Sequence, residues 1–534
     1  MTSKIDTSAE TYDYVVIGAG SAGCVVAGRL SDAGYSVLLL EAGGRDTNPW
    51  IHIPLGYARL YANPALNWCF TSEPEPGLNG RRLFQPRGKV LGGTGSINGM
   101  IYMRGQREDF DAWAAAGCSG WGFDDVLPYY KKSEDQQRGA SAYHGVGGPL
   151  SVSDVSGFEL GDAFIAAAAN LGAPRNDDFN GPSQIGAGYV QVTTRKGRRW
   201  STAAGYLKGQ KSLRIVTRAL VSRLRIEGSA VTGVDYSVDG EPRLANARAE
   251  VVLCAGAYGS PQLLELSGIG AGEHLRRIGI DVRHELPGVG EDLRDHFGVG
   301  LECRCTKPLT VNDLYNNPLR GGLALARYFF HRSGLMATNG NYANDFIVSG
   351  LAQTRPDMMV TFMAWCTDEQ LKPRPFPGFT ILAEHMRPDA TGSVHATAPD
   401  IRTQPAIRFN FLESEADCRA AIAGLRHARR LSMTQPMAGY VANEITPGRD
   451  KESDKALLEY CRANGLSLLH PVGGCRMGVD DRAVVDPRLR LRGLAGLRIA
   501  DASIMPGHVT ANTHAPTVMI GERAADMILE DSRR

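Results

Sequence analysis

Residues 12–44, YDYVVIGAGSAGCVVAGRLSDAGYSVLLLEAGG, constrain the fold more than any other stretch of the chain. The run Tyr14–Ile17 is rich in apolar, β-branched residues and predicts a short buried strand of a parallel sheet. Apolar residues at helical spacing follow it, and Gly34 is expected to end that helix. A second apolar run then ends at the acidic residue Glu41. A strand, a helix and a strand in this order predict the beginning of a Rossmann-type α/β domain.

The turn between the first strand and the helix has the pattern G-x-G-x-x-G. In such a turn Gly18 permits the tight bend, Gly20 lets the backbone approach a pyrophosphate, and Gly23 lets helix and strand pack closely. The N–H groups of the helix N-terminus then face the phosphates, and Glu41 suits ribose hydroxyls rather than a 2′-phosphate. A purely structural glycine-rich turn is the alternative. The segment predicts a dinucleotide site, FAD or NAD, with contacts from Gly18, Gly20, Ser21, Ala22, Gly23, Glu41 and Ala42.

The overall composition excludes several classes of protein. A chain of 534 residues is expected to form two or more packed units. Its net charge of +1 gives no electrostatic basis for binding nucleic acid or an anionic membrane. The longest apolar runs, such as residues 251–258, are too short for a membrane span and no signal-peptide pattern is present, so we expect a cytoplasmic protein. The ten cysteines form no CxxC pair, so neither a disulfide framework nor a metal site is predicted.

Residues 81–113, RRLFQPRGKVLGGTGSINGMIYMRGQREDFDAW, contain a loop rich in glycine and hydroxyl side chains, which suits the polar edges of a cofactor. The stretch resembles the first signature of the glucose–methanol–choline (GMC) flavin oxidoreductases, R-G-K-x-L-G-G-[ST]-[SG]-S-x-N followed by R-G-x-x-x-D-[FY]-D-x-W. This resemblance implies that the cofactor is FAD and that the loop lies against its pyrophosphate and isoalloxazine ring. The residues that it assigns to FAD are Val90, Gly93, Thr94, Asn98, Gly99, Met100 and Ile101.

Position 97 bears on how the flavin is held. Some members of that family carry a histidine there that bonds covalently to FAD, whereas this chain has Ile97. The resemblance therefore implies non-covalent FAD.

The resemblance extends from about residue 12 to the C-terminus. Segments 256–270 and 286–296 match further GMC patterns, and we expect Pro261 to start a helix. The strand that contains Val221 is similar to the one whose backbone meets the adenine in relatives. The match is weakest between residues 300 and 380, where we expect substrate choice to be decided.

The C-terminal segment resembles the last GMC signature almost throughout. LRIADAS, residues 497–503, predicts a buried strand that ends at Asp501, whose carboxylate suits the ribityl hydroxyls. Relatives place this segment beside the flavin, and they point the N-terminus of the following helix at the N1–C2=O edge of the ring. That positive helix end would stabilise negative charge on the ring. The FAD contacts assigned here are Asp501, Ala502, Asn512 and Thr513.

His470, in LLHPVGGCRMG, admits four interpretations: a metal ligand, a partner of Cys475, a core imidazole or a catalytic base. Metal spacing is absent, and relatives use the cysteine structurally. The resemblance favours a general base paired with Asn512, in a His–Asn version of the His–His or His–Asn pair of the family. His514, two residues later, is kept as the alternative partner, and His508 is interpreted as a loop residue.

The expected function is FAD-dependent oxidation of a primary alcohol or aldehyde hydrate, with hydride transfer to flavin N5 and oxygen or a quinone as the acceptor. A hydroxynitrile-lyase-type reaction on the same fold is the alternative. Leu468, two residues before the base, is expected to face the flavin and to affect oxygen access. The expected FAD-binding domain comprises residues 1–155, 205–300 and 465–534. An antiparallel sheet covered by helices is expected in a substrate-binding domain of residues 156–204 and 301–464.

Overall fold

The computed structural model describes residues 10–351, 354–368 and 372–533. Its N-terminal part contains the predicted βαβ unit, formed by strand Glu10–Ile17, helix Ser21–Asp32 and strand Val37–Glu41. Gly34, with φ of 92°, directly follows the C-cap residue Ala33, so the left-handed conformation that ends the helix falls where the sequence predicted it. Residues 1–9 of the predicted first domain lie outside the described residues.

The first large sheet has seven strands and places the predicted cofactor residues at one edge. Its parallel part joins the βαβ strands to the later strands, and residues 219–253 form an antiparallel meander. The carboxyl ends of the parallel strands lead into the glycine turn, Glu41 and Asp501, which brings these distant residues together. The strand order is Leu213–Thr217, Val37–Glu41, Glu10–Ile17, Glu241–Leu253, Ala230–Val238 and Ala219–Glu227, with Leu497–Ile499 paired to Glu241–Leu253.

The second large sheet also has seven strands, and all of its pairings are antiparallel. Helix Glu415–Met433 packs on one face, where Gly424 lies against Ala383. The opposite face carries Gly298, and the side chains of Leu468 and Leu382 both lie next to this glycine. The strand order is Val441–Thr446, Phe297–Cys305, Gly378–His385, Met358–Met363, Asn341–Ile347 and Gly186–Tyr189, with Leu466–Ser467 paired to Phe297–Cys305.

The remaining strands form small sheets and ribbons. They are Phe70–Thr71 with Phe84–Gln85, Glu134–Gln136 with Leu150–Asp154 and Gln191–Val192, Thr194–Arg195 with Arg198–Arg199, Ile269–Gly270 with His284–Glu285, and Glu291–Leu293 with Gly392–His395 and Ala406–Arg408. The α-helices are Ser21–Asp32, Pro49–His52, Tyr57–Leu60, Arg107–Ala115, Phe123–Ser133, Glu159–Asn170, Thr202–Tyr206, Gly256–Leu266, Gly272–Arg277, Val311–Asn316, Pro318–His331, Glu415–Met433, Asp454–Asn464 and His514–Asp531. Short 3₁₀ turns occur at Pro54–Gly56, Pro76–Leu78, Gly93–Ser96, Leu335–Ala337, Met437–Tyr440 and Ala502–Ile504.

The predicted fold class, a Rossmann-type α/β unit beside an antiparallel sheet covered by helices, is confirmed. The predicted domain bounds stay a prediction, and strand Phe297–Cys305 of the second sheet crosses the proposed boundary at residue 300. The predicted helix start at Pro261 was wrong, because the helix begins at Gly256, whose N–H donates to Asp501. Among the described residues, no helix combines the length and hydropathy that a membrane span requires.

Candidate active site

The glycine turn forms a cradle whose shape depends on missing side chains. Gly18 has φ of 92°, and a Cβ atom there would lie 2.5 Å from the carbonyl oxygen of Cys254. A Cβ atom on Gly23 would overlap the carbonyl oxygen of Gly18. Gly20 is the N-cap of helix Ser21–Asp32 and has no side-chain cap, and the position that its own Cβ would take is open, with the Cys254 carbonyl oxygen 4.0 Å away. The N-terminus of this helix therefore presents uncapped N–H groups, as a bound diphosphate requires.

Glu41 closes one end of the cradle. Its buried carboxylate accepts hydrogen bonds from the backbone N–H groups of Ala19, at 3.0 Å, and Gly43, at 2.8 Å. Burial raises the pKa of Glu41 to about 7, against the lowering effect of those two hydrogen bonds. Each carboxylate oxygen retains a free lone pair, so ribose hydroxyls can still donate to it.

The second glycine loop touches the first. A Cβ atom on Gly93 would lie 2.6 Å from the Cα atom of Gly20, so only glycine permits this approach. Val90 forms a bridge with Gly44, and the Thr94 hydroxyl accepts a hydrogen bond from the N–H of Gly88 at 3.1 Å. The residues assigned to the pyrophosphate from two distant signatures thus line one groove. This cradle, which a side chain would fill, fits the diphosphate of FAD.

Asn98 is held by a residue that the sequence analysis missed. The guanidinium of Arg199 is buried and donates to the Asn98 side chain at 2.8 Å and to its carbonyl oxygen at 2.7 Å. It also donates to the carbonyl oxygen of Gly95 at 3.1 Å. Burial lowers the pKa of Arg199 to about 10, which leaves it charged at neutral pH. Arg199 therefore fixes the loop that leads to Gly99, Met100 and Ile101.

Residues of the C-terminal signature also lie at this groove. Asp501 accepts hydrogen bonds from Gly256 N–H at 2.8 Å and Ser260 Oγ–H at 2.6 Å, which ties it to helix Gly256–Leu266. Val221, assigned to the adenine, is buried in strand Ala219–Glu227. Thr513 is the N-cap of helix His514–Asp531 without a side-chain cap, and the first turn of that helix contains no acidic residue. The positive end of this helix is therefore free to act on a neighbouring group.

His514 lies with the cofactor loops. Its Nδ1 atom is 2.9 Å from Ser21 Oγ, and its ring stands beside Gly95. Asn512, by contrast, contacts His470, because its Nδ2 atom is 2.9 Å from His470 Nε2. Of the two alternatives, the structure thus brings Asn512 to the candidate base.

His470 belongs to a cluster of three histidines. Its Nδ1 atom lies 3.2 Å from Nδ1 of His296, whose Nε2 atom lies 3.2 Å from the carbonyl oxygen of Met386. The ring of His508 packs on His296 with centroids 3.5 Å apart, and its Nε2 atom is 2.9 Å from the carbonyl oxygen of His470. His508 is a loop residue, as predicted, but it supports the site directly. The sequence carried one signal for His296, since this residue ends the GMC pattern at 286–296.

Burial keeps this cluster neutral. Burial, with smaller contributions from the Arg87 guanidinium and from His508 once acid has protonated it, lowers the pKa of His470 to about 3. Burial also lowers the pKa of His508 to about 4 and that of His296 well below its usual range. All three imidazoles are therefore uncharged at neutral pH, when each can accept one proton.

Asp295 anchors the backbone of the cluster. Its Oδ1 atom accepts from the N–H groups of both His296 and His470, each at 2.8 Å, and its other oxygen accepts from the hydroxyl of Ser467. Burial raises the pKa of Asp295 to about 6. Cys475 donates its N–H to the carbonyl oxygen of Ser503 at 3.0 Å, and burial raises the pKa of its thiol well above the usual range, so it is not a thiolate.

The second sheet forms a wall beside His470. The Leu468 side chain lies over Gly298, where a Cβ atom would be 2.8 Å from Leu468 Cδ2 and 3.3 Å from Leu382 Cδ1. Glu384 pairs with Gly298 across the sheet, and its carboxyl group accepts from Thr361 at 2.8 Å. Burial raises the pKa of Glu384 to about 8. This mostly apolar wall suits a small organic substrate.

Comparison with known proteins agrees with this geometry. Models of the family described as GMC oxidoreductase match residues 12–298 and 388–521. The chain is 39% identical over 528 residues to an alcohol dehydrogenase (acceptor) of Pseudomonas putida, covering 97% of this chain and 96% of that protein. It is 41% identical over 538 residues to an oxygen-dependent choline dehydrogenase of Pseudomonas savastanoi pv. phaseolicola, covering 98% and 94%. The crystal structure of pyridoxine 4-oxidase from Mesorbium loti matches with a TM-score of 0.88 at 31% identity, covering 96% of this chain and 98% of that chain.

The fold and the comparisons define an FAD-dependent oxidoreductase that acts on CH–OH groups. The chain belongs to the GMC oxidoreductase family. The resemblance carried by residues 81–113 and by the C-terminal segment is thereby confirmed.

Proposed function

We propose that this protein oxidises a primary alcohol, or the hydrate of an aldehyde, with His470 as the general base. The observation that carries this proposal is the relay from the Met386 carbonyl oxygen through His296 to His470. A carbonyl oxygen only accepts, so the neutral His296 ring carries its proton on Nε2 and has a lone pair on Nδ1. His470 must then donate from Nδ1, which leaves the lone pair of its Nε2 atom free to take a proton.

Asn512 completes the site. Its Nδ2 atom lies 2.9 Å from His470 Nε2, so an alcohol hydroxyl that lies beside both atoms meets an acceptor and a donor. His470 Nε2 takes the hydroxyl proton while the Asn512 amide donates to the oxygen, which gains negative charge. The Oδ1 atom of Asn512 is buried and has no hydrogen-bond partner among the described residues, so it can accept from a second substrate group. An aldehyde hydrate would supply such a second hydroxyl.

The cofactor of this proposal is non-covalent FAD. Bound FAD supplies the acceptor for the hydride that leaves the carbinol carbon. Ile97 is buried and offers no atom for a covalent bond to the ring, in keeping with non-covalent binding. The residues proposed to hold FAD are Gly18, Gly20, Ser21, Ala22, Gly23, Glu41, Ala42, Val90, Gly93, Thr94, Asn98, Gly99, Met100, Ile101, Val221, Asp501, Ala502, Asn512 and Thr513.

Anaerobic titration of the yellow holoenzyme tests the reaction. A panel of primary alcohols, aldehyde hydrates and sugars is added, and a substrate is recognised because it bleaches the flavin absorbance. A lyase would leave the absorbance unchanged, so failure of the whole panel to bleach the flavin would contradict the proposed oxidation. Readmission of air or addition of a quinone dye then distinguishes the two proposed acceptors by the rate at which the colour returns.

His470→Ala tests the base. We expect flavin reduction to slow about 10²–10⁴-fold while FAD stays bound, since general-base catalysis contributes that much. His331→Ala is the control, because His331 is an exposed residue at the end of helix Pro318–His331. Undiminished reduction by His470→Ala would show that another group takes the proton.

A further inference from the structure

Three side chains near the C-terminal end of helix Gly256–Leu266 lie close together although they belong to different elements. They are Glu265, His274 and His395. Glu265 lies in the last turn of that helix, His274 lies on helix Gly272–Arg277, and His395 ends strand Gly392–His395. One carboxylate oxygen of Glu265 and one ring nitrogen of each histidine lie within 4.8 Å of one another. We propose that these three side chains form a binding site for a divalent transition metal ion of the zinc type, separate from the flavin site.

The distances are close to those of a metal centre. With Zn–N and Zn–O bonds of about 2.0–2.2 Å in a tetrahedron, neighbouring ligand atoms lie about 3.3–3.6 Å apart. His274 Nε2 and Glu265 Oε2 are 3.6 Å apart and already meet this requirement. His395 Nδ1 and Glu265 Oε1 are 2.7 Å apart and must separate by about 0.7 Å. Rotation of one ring provides this shift.

Two further groups hold the proposed ligands in place, the carboxylate of Glu291 and the N–H of Ala396. His395 lies between two carboxylates, with Nδ1 2.7 Å from Glu265 and Nε2 3.3 Å from Glu291. Metal binding must displace the Nδ1 proton, while Glu291 can hold the proton on Nε2. Glu265 is fixed by the N–H of Ala396, which donates to Oε2 at 2.6 Å. Gly290, with φ of 84°, packs closely against His395, since a Cβ atom there would lie 2.5 Å from Nδ1. The site thus has a carboxylate–histidine pair whose ring is held in place by close packing.

His274 provides the third ligand atom. Its Nε2 atom is buried and makes no hydrogen bond with any residue in the described part of the chain. Its Nδ1 atom accepts from the guanidinium of Arg277 at 2.8 Å, which places the ring proton on Nε2. Metal binding requires the opposite tautomer, so this contact must break. Arg277 is exposed, and its side chain is free to turn into solvent.

The ion would join three elements of the fold. Sequence spacing predicted no metal site, because the ligands belong to two helices and one strand that only the tertiary structure brings together. Two nitrogen ligands and one carboxylate are the ligand set that zinc accepts in proteins. Glu265 and Glu291 carry two negative charges, which balance a divalent cation. Because Glu291 lies beside His395, the bound ion would stabilise strand Glu291–Leu293, which leads to Asp295 at the active site.

Zinc binding to the FAD-loaded full chain tests this proposal. The holoenzyme is treated with EDTA, dialysed, and titrated with zinc chloride while bound metal and the thermal midpoint are measured. We expect one zinc per chain and a rise of the midpoint by a few degrees, because a ligand that binds the folded state stabilises it. Glu265→Gln and His274→Asn should abolish both effects, whereas His331→Ala should keep them.

Two further variants sharpen the result. Glu291→Gln should weaken zinc binding about 10–100-fold, the usual effect of losing a carboxylate behind a ligating histidine. Arg277→Gln should strengthen it, since the competing hydrogen bond to His274 is removed. Equal zinc content in the wild type, Glu265→Gln and His274→Asn would overturn the proposal, as would the absence of bound zinc in the wild type. Alcohol-dependent bleaching of the flavin is independent of both outcomes, so the proposed reaction is tested separately.

Discussion

His296 offers a sharp test of how the base is prepared for catalysis. Its Nδ1 atom is the acceptor that obliges His470 to carry its proton on Nδ1, 3.2 Å away. In His296→Phe a ring of similar size stays in place but the acceptor is lost. The Nδ1–H group of His470 would then be buried without a partner, at a cost of about 1–3 kcal/mol.

The proton can avoid that cost by moving to Nε2 of His470. The Asn512 amide can then rotate so that its Oδ1 atom, which has no partner among the described residues, accepts from Nε2–H. That tautomer has no lone pair towards the substrate, so it is not a base. The productive form must be restored at a cost of about 1–3 kcal/mol, which slows flavin reduction about 5–150-fold at saturating alcohol.

Anaerobic stopped-flow reduction by a saturating alcohol measures this effect, and the flavin absorbance before mixing reports FAD content. We expect His296→Phe to retain FAD and the thermal midpoint, and to lower the limiting rate more than the apparent substrate affinity. His508→Phe is the matched control, because His508 packs on His296 but donates to the backbone of His470 instead of its ring. A wild-type rate in His296→Phe, or an equal loss in His508→Phe, would refute the tautomer argument.

Four more outcomes are expected. Asn512→Ala should slow flavin reduction about 10²-fold through loss of a donor to the developing alkoxide, and rapid-reaction rates of this variant at saturating alcohol check it. The pKa of His470, lowered to about 3, predicts no acid limb near pH 6.5 in kcat/KM, and a limb there would assign the base elsewhere. Burial raises the pKa of Asp295 from 3.8 to about 6, so the folded state holds the proton more tightly than the unfolded state does. The free energy of unfolding of the wild type should therefore fall by about 2 kcal/mol between pH 4 and 6, and thermal unfolding of Asp295→Asn should not show this fall. Gly23→Ala should lose FAD because its Cβ would overlap Gly18, whereas Gly322→Ala, with open space and an exposed helical position, should keep the yellow colour after gel filtration.

The cofactor half of the molecule could be predicted well from the sequence. The glycine turn, the strand before it and Glu41 lie within a short segment, so their spacing reflects local geometry directly. The fold class and the family followed from the same kind of local pattern at residues 81–113 and 497–520. In the glycine turns, positive φ values and close backbone contacts allow only glycine, as at Gly18, Gly23 and Gly93. Such a requirement can be recognised directly in the amino-acid sequence.

The arrangement around the base was decided by tertiary structure. His296 is 174 residues from His470, and His508 is 38 residues from it, so no spacing rule links their rings. The sequence left Asn512 and His514 as alternative partners, and the folded chain brought only Asn512 within 2.9 Å of the His470 ring while turning His514 towards Ser21.

The sequence by itself thus determined that this chain builds a dinucleotide cradle, because that cradle is made of backbone whose conformation only glycine permits. The tertiary structure decided which nitrogen of His470 is free to take a proton. That choice depends on burial and on the hydrogen bonds from Met386 through His296. These residues lie beside His470 because strands Gly378–His385, Phe297–Cys305 and Leu466–Ser467, distant in sequence, are neighbours in the second large sheet.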